Sequence, residues 1–143
     1  MARMMFLNLP VTDLDRSKAF YAAVGAVNDP RFTDNTAACM SFSDEIHVML
    51  LTHDKWRQFT DRQIVDAHRA AQTFMCVTAD SRESVDAIVA AAVAAGGKPD
   101  PTPVDDYGWM YGRGFEDPDG HLWGINWMDM AAFEAARSEE QAA

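Results

Sequence analysis

A chain of 143 residues, 48% of them hydrophobic, is long enough to bury one core without disulfide or metal staples. Its 22 acidic against 12 basic side chains give a formal net charge of −10, which repels phosphate backbones and excludes nucleic acid as the main partner. No stretch approaches the roughly 20 apolar residues of a membrane span, and the apolar run in MARMMFLNLPV is too short, and too broken by Asn8 and Pro10, for a signal peptide, so a cytoplasmic protein with no membrane partner is expected.

In chain order, MMFLNLPV reads as a strand and VTDLDRSKAFYAAVGA as a helix, capped by Thr12 or Asp13 and closed by Gly25. Three short strands follow in AVNDPRF, TAACMSF and EIHVMLL, with turns at Asp34-Asn35 and Ser43-Asp44. THDKWRQFTDRQIVDAHRA reads as a linker with a helical turn or two, Trp56 and Phe59 being spaced to pack on one side. The pattern then repeats. QTFMCVT is a strand, and VTADSRESVDAIVAAAVAAGG is a helix with a capping box expected from Asp80 and Glu83 and a stop at Gly96-Gly97. KPDPTPV, YGWMYGRGF and HLWGINW are strands, with turns near Asp105-Asp106 and at Pro118-Asp119-Gly120. MAAFEAARSEEQAA ends the chain as a short helix. The expected class is α+β with two βαβββ modules: module one over 3–52, a linker over 53–70, module two over 71–128 and a helical tail over 129–143. Cys39 and Cys76 lie in apolar runs and are expected to be buried thiols.

FLNLPVTDLDRSKAFY, VMLLTHDKW and WMYGRGFEDPDGHLW, in that order on a repeated βαβββ plan, resemble the vicinal oxygen chelate superfamily and look like its glyoxalase-like branch. That superfamily includes glyoxalases, extradiol dioxygenases, fosfomycin-resistance proteins and bleomycin-binding proteins. The resemblance implies that each half curls into a U-shaped mixed sheet and that the two enclose a pocket. In the metal-dependent relatives a divalent ion is held there by His, Glu or Gln from four strands. Carried onto this chain, the first position is Phe6, and the second lies at or near Leu50, with His47 the nearest ligand type. The third falls within 71–78, which offers Gln72 and Cys76, and the last, a Glu after DPDGHLW in relatives, is Gly124. No cofactor is therefore expected, a divalent metal is disfavoured, and Gly124 is expected to leave room in an apolar pocket floor. Relatives commonly dimerise, so a homodimer is expected.

The residues themselves leave several roles open. His47 alternates with Ile46 and Val48, so it faces away from the pocket if Leu50 faces in, and a slip of one residue reverses this. Asn8 shares the face of Phe6 and Pro10 and is the polar candidate on the first strand. In YGWMYGRGF the glycines either bend a strand for packing or bring Tyr107, Trp109 or Tyr111 against a ligand. Arg113 either orients an anionic group or pairs with a neighbouring carboxylate. Met40, Met49, Met75 and Met110 suit a plastic pocket wall or core filling alike. His53 and His68 read as surface residues, Asp105-Asp106 as loop, and His121 as part of the turn with a catalytic role as the alternative. The catalytic candidates are thus His47, Tyr111 and His121. The ligand-binding candidates are Phe6, Asn8, Leu50, Tyr107, Trp109, Tyr111 and Gly124. Two functions follow: binding of a small organic molecule in an apolar aromatic cleft without the usual metal, or a glyoxalase-like lyase or isomerase reaction on a small oxygenated or glutathione-conjugated substrate. An interaction or scaffold protein is the third class.

Overall fold

The computed structural model describes residues 2–142. The first module comprises β1 (Met5–Val11), α1 (Leu14–Ala23), β2 (Val27–Asp29), β3 (Ala37–Ser41) and β4 (Ile46–Thr52), in the sheet order β1-β4-β3-β2. The second comprises β5 (Phe74–Thr78), α3 (Arg82–Ala94), β6 (Lys98–Pro99), β7 (Asp105–Asp106), β8 (Met110–Glu116) and β9 (Leu122–Met128), in the order β5-β9-β8-β6, with β7 also on β8. In each sheet the first strand runs parallel to the last, β1 with β4 and β5 with β9, and the other pairs are antiparallel. The sheets are open and mixed, and the class is α+β; the first unit is βαβββ, and the second follows the same plan with one added short strand, β7, at Asp105-Asp106, which the sequence pattern reads as loop. Helix α2 (His53–Phe59) and residues 60–73 connect them, and α4 (Met130–Ala142) follows the last strand.

Local chemistry sets the element ends. Asp13 caps α1, its carboxylate accepting the Arg16 N–H at 3.0 Å. For α3 the cap is Ser81 rather than Asp80, because Ser81 and Ser84 exchange side-chain and backbone bonds at 3.1 and 3.0 Å; Glu83 instead lies in the first turn, where its charge favours the helix dipole. Gly25 and Gly96 close α1 and α3 in left-handed conformations. The segment AVNDPRF yields only three strand residues because Pro30 starts a 3-10 turn. Prolines 99, 101 and 103 reduce KPDPTPV to β6, with β7 re-forming beyond them on the same edge. Trp56 packs partly inward from α2 while Phe59 is exposed, since a seven-residue helix presents only one short face to the sheet. Cys39 is buried as expected, but Cys76 is exposed because its face of β5 is open.

One core serves both modules. Leu9 and Val11 of β1, Val48 and Leu50 of β4 and Phe20 and Tyr21 of α1 pack with Ala92, Phe115 and Trp123 of the second module. In the β1–β4 ladder Leu9 pairs with Leu50, Asn8 with Met49 and Phe6 with His47. Alternation then places Leu9 and Leu50 on the α1 side, and Phe6, Asn8, His47 and Met49 on the other. The expectation that Leu50 faces the pocket is corrected here: it is fully buried in the core, and it is His47 that shares the face of Phe6.

Polar contacts lock the modules together at the turn Asp117–His121. One Asp117 oxygen accepts the N–H groups of Asp119 and His121, both at 2.9 Å, and the other accepts the Tyr21 hydroxyl at 2.6 Å. That hydroxyl in turn accepts the Trp123 indole N–H at 3.0 Å. Asp119 accepts the Thr12 N–H and hydroxyl at 3.0 and 2.8 Å and the Ser17 hydroxyl at 3.4 Å. Gly120, at φ +91°, lies so close to the linker that a Cβ there would sit 2.6 Å from the His68 nitrogen, so no larger residue fits. Burial, then the Asp117 charge, pushes the Tyr21 phenol well above its ordinary pKa; burial also raises the Asp117 carboxyl, against the bonds it accepts.

Tyr21→Phe strands the Trp123 N–H and one Asp117 oxygen inside the core. A loss of about 2–3 kcal/mol is expected, a fall in Tm of about 5–10 °C by thermal circular dichroism. An unchanged Tm would show that the junction does not depend on this hydroxyl.

Candidate functional site

A cleft of about 460 Å³ lies between edge strands β1 and β5, a volume in the range of small-molecule sites. Leu7 to Pro10 of β1 form one wall, Met75 and Leu122 the other, and Trp56 with linker residues such as Ile64, Val65 and Ala71 cover it. The lining is predominantly apolar. Asn8 is in the wall; its amide nitrogen donates to the Phe6 carbonyl at 3.2 Å, leaving its oxygen without an intramolecular donor among the described residues. Trp56 contributes a buried indole N–H that has no partner among the described residues.

His121 joins this cleft to a second one. Its Nε2 lies 2.9 Å from the Pro10 carbonyl, which can only accept, so Nε2 carries a proton and Nδ1 is the lone-pair nitrogen of the neutral ring. The second cleft, about 480 Å³, shares Pro10, Ile64, Val65, Ala67 and His121 with the first and adds Arg16, Arg57, His53 and His68. In the linear sequence His53 and His68 read as plain surface residues and Arg16 carries no signal of a role. Only the folding of residues 60–73 against β1 and the Asp117–His121 turn brings these groups to one hollow. A signal did exist in the positive charges and imidazoles of THDKWR and DAHRA, but linear sequence does not place them beside Arg16.

The other candidates lie elsewhere. His47, 8% exposed, stacks on Phe6 at 4.6 Å, and both ring nitrogens are engaged, Nδ1 with the Ser41 hydroxyl at 2.6 Å and Nε2 with the Asp44 carbonyl at 3.0 Å. It ties the β3–β4 hairpin and lines neither cleft. Phe6 likewise covers His47 rather than facing the β1–β5 cleft. Tyr111 points to α3: its hydroxyl donates to Asp86 at 2.7 Å and its ring lies under the Arg82 guanidinium at 4.6 Å. The bond to Asp86, then burial, raises its pKa, the wrong direction for a base. Tyr107, 58% exposed, stacks on Trp109, which packs on Phe133 of α4, so these aromatics anchor the C-terminal helix. Arg113 takes the pairing alternative, bridging Asp100 at 2.7 Å and Asp86 at 3.0 Å. Tyr111 and Arg113 serve the second module's packing because β8 turns that face toward α3.

Gly124 gives the sharpest correction. It pairs with Cys76 on β5 and with Gly114 on β8, and the space in front of it is already taken. A Cβ at 124 would meet the Cys76 sulfur at 2.7 Å and the Phe74 ring at 3.1 Å. The glycine leaves no room in a pocket floor; it accommodates two neighbouring side chains. The same geometry bears on metal binding. Phe6 and Gly124 supply no side-chain donor, residues 71–78 offer only Gln72 and Cys76 as ligand types, and among the described residues no three His, Cys, Asp or Glu side chains are grouped to hold an ion. The residues present do not fit the metal centre of the metal-dependent relatives.

Gly124→Ala is expected to cost about 1 kcal/mol through overpacking, and the loss should shrink when Cys76→Ala is added, read by denaturant unfolding. Equal losses in both backgrounds would refute the contact. The second test concerns pH. The Tyr111 and Arg113 bonds lower the Asp86 pKa, and the Arg113 bond lowers that of Asp100, so their stabilisation is present above the ordinary carboxylate range and lost as pH falls through the depressed values. The Tm advantage of wild type over Arg113→Gln should therefore be steady near neutrality and fade below about pH 4. An advantage that persists in acid would contradict it.

Comparison with known proteins agrees with this architecture. A hypothetical protein from S. aureus superposes with a TM-score of 0.73 at 24% identity, covering 88% of this chain and 94% of its own. A glyoxalase/bleomycin resistance protein/dioxygenase family enzyme from Burkholderia phytofirmans PsJN gives 0.72 at 20% identity, covering 90% and 100%. A genomically encoded fosfomycin resistance protein from Listeria monocytogenes gives 0.63 at 17%, covering 90% and 93%. At these identities the likeness shows the fold. Among curated proteins no match is found. The sequence profile of the Glyoxalase/Bleomycin resistance protein/Dioxygenase superfamily matches residues 3–125, and the chain belongs to that superfamily.

Proposed function

We propose that the protein binds a small organic molecule in the β1–β5 cleft, without the divalent centre of the metal-dependent relatives. The observation that carries this reading is the cleft itself: about 460 Å³, walled mainly by apolar side chains and the Trp56 ring, with Asn8, Arg62, Gln63, Gln72, Thr73 and His121 as the polar groups of its lining. Asn8 offers a carbonyl oxygen and His121 an imidazole. This division, an apolar body with few convergent polar groups, is the general character of small-molecule sites. The donor-poor face around Phe6, Phe74 and Gly124 supports a metal-free mode.

His121 supports a second reading, a lyase or isomerase of the glyoxalase type acting on a small oxygenated or glutathione-conjugated substrate. With Nε2 donating to Pro10, Nδ1 is the nitrogen left to take a proton from a bound carbon or hydroxyl acid. Fold alone does not decide between binding and turnover. The exposed apolar side chains of Met5, Phe6 and Phe74 at the sheet edges support a homodimer.

Protein purified without chelator is expected to carry no stoichiometric divalent ion by elemental analysis. A saturation-transfer NMR screen of small aromatic and aliphatic compounds should find binders whose affinity falls at least tenfold in Ala71→Trp, which narrows the cleft. A bound ion in one-to-one ratio, or binders indifferent to that substitution, would overturn the reading. Metal-independent turnover lost in His121→Asn would favour the second reading.

A further inference from the structure

The second cleft has a different chemistry from the first. Arg16 and Arg57 line it, with His53 and His68 beside them, in a protein whose formal net charge is −10. Two carboxylates also line it, so the formal charges of arginines and carboxylates balance, but the carboxylate oxygens are occupied by the protein's own donors, whereas most donors of the arginines are not. Asp119 accepts from Thr12 and Ser17. Asp66 accepts the N–H and the imidazole of His68, both at 3.0 Å, and lies 3.8 Å from Arg69; these bonds, that of the backbone N–H first, lower its pKa.

The arginines are far less committed. Arg16 donates only to a neutral oxygen, the Thr12 hydroxyl at 3.0 Å, and forms no ion pair among the described residues. Arg57 contacts only Asp54, at 3.4 Å, and that carboxylate is almost wholly in water, an ion pair of little strength. The His53 ring makes no hydrogen bond among the described residues. A guanidinium presents its donors in a planar fork suited to two oxygens of one anion. Two such forks with unspent donors, facing a hollow of about 480 Å³, are arranged for an oxyanion that the protein itself does not supply.

We infer that this cleft is a binding site for the carboxylate or phosphate group of a small anionic molecule, gripped by Arg16 and Arg57. His53 adds a further N–H, and the wall shared through Pro10, Ile64 and His121 lies beside the apolar cleft. The inference does not depend on what the apolar cleft binds.

The test uses the intact chain, titrated with potassium phosphate and with sodium benzoate against chloride at matched ionic strength. Backbone and arginine Nε–H shifts are followed by NMR. Saturable shifts at Thr12, Arg16, Arg57 and His68 are expected. Arg16→Gln and Arg57→Gln should each weaken binding at least threefold, and the pair at least tenfold, while Lys98→Gln on the far module leaves it unchanged. Both arginines are exposed, and retained spectral dispersion verifies that the variants fold. Saturation by phosphate alone would assign a phosphate site, by benzoate a carboxylate site. Shifts that stay linear, that chloride reproduces, or that survive the double substitution would overturn the proposal. Because Ala71→Trp narrows only the apolar cleft, its effect separates failure there from failure here.

Discussion

The structure depends on the capture of the Asp117–His121 turn by the first helix. Asp117 and Asp119 lie roughly a hundred residues from Tyr21, Thr12 and Ser17, yet their carboxylates accept the donors of α1 and its N-terminal approach. Buried carboxylates are tolerated only when their oxygens are supplied with donors. Here Asp117 draws two donors from its own turn and one from Tyr21, and Asp119 draws its side-chain partners from Thr12 and Ser17, so the turn relies on the first module to complete its hydrogen bonding. The same contact brings Phe20 and Tyr21 against Phe115 and Trp123, which makes one core out of two repeats.

From that junction both clefts follow. With α1 and the turn fixed, His121 reaches the Pro10 carbonyl, and the linker is pressed against Gly120 so closely that a side chain there would not fit. The linker then runs over the gap between β1 and β5 and closes it into an apolar cleft on one side and, on the other, a polar hollow lined by arginines, imidazoles and carboxylates. The imidazole of His121 stands in the wall between them, its ring orientation set by a backbone acceptor rather than by another titratable group.

Around Phe6 and Gly124 the sheet faces carry packing contacts. Phe74 and Cys76 fill the space before Gly124, and His47 spends both nitrogens on the β3–β4 hairpin while stacking on Phe6. Phe6, Phe74 and Gly124 present rings and a glycine rather than side-chain donors, with Phe6 46% and Phe74 49% exposed. Retained scaffold and altered site chemistry are separable because the turn and helix motifs act at the junction, away from the sheet faces.

Much of the fold was legible in the linear chain. Val-Thr openings, helical runs ending at Gly25 and Gly96, and the DPDGH turn are local signals, governed by hydrogen bonds between near neighbours, so residue order alone determined the two repeated modules, while the reading of Phe6 and Gly124 as donor-free positions came from the family resemblance. Local rules erred by a residue where two candidates compete, as at Asp80 and Ser81, where the exchange of bonds with Ser84 decided the cap. What only tertiary structure decided was direction and company: that Leu50 faces the core and His47 the opposite face, that Tyr111 leans on α3, and that Phe74 occupies the room before Gly124. It also decided that Arg16, Arg57, His53 and His68 meet. The reason is that strand register and loop path are set by which distant surfaces bury each other, and a one-residue shift in either reverses what a side chain sees.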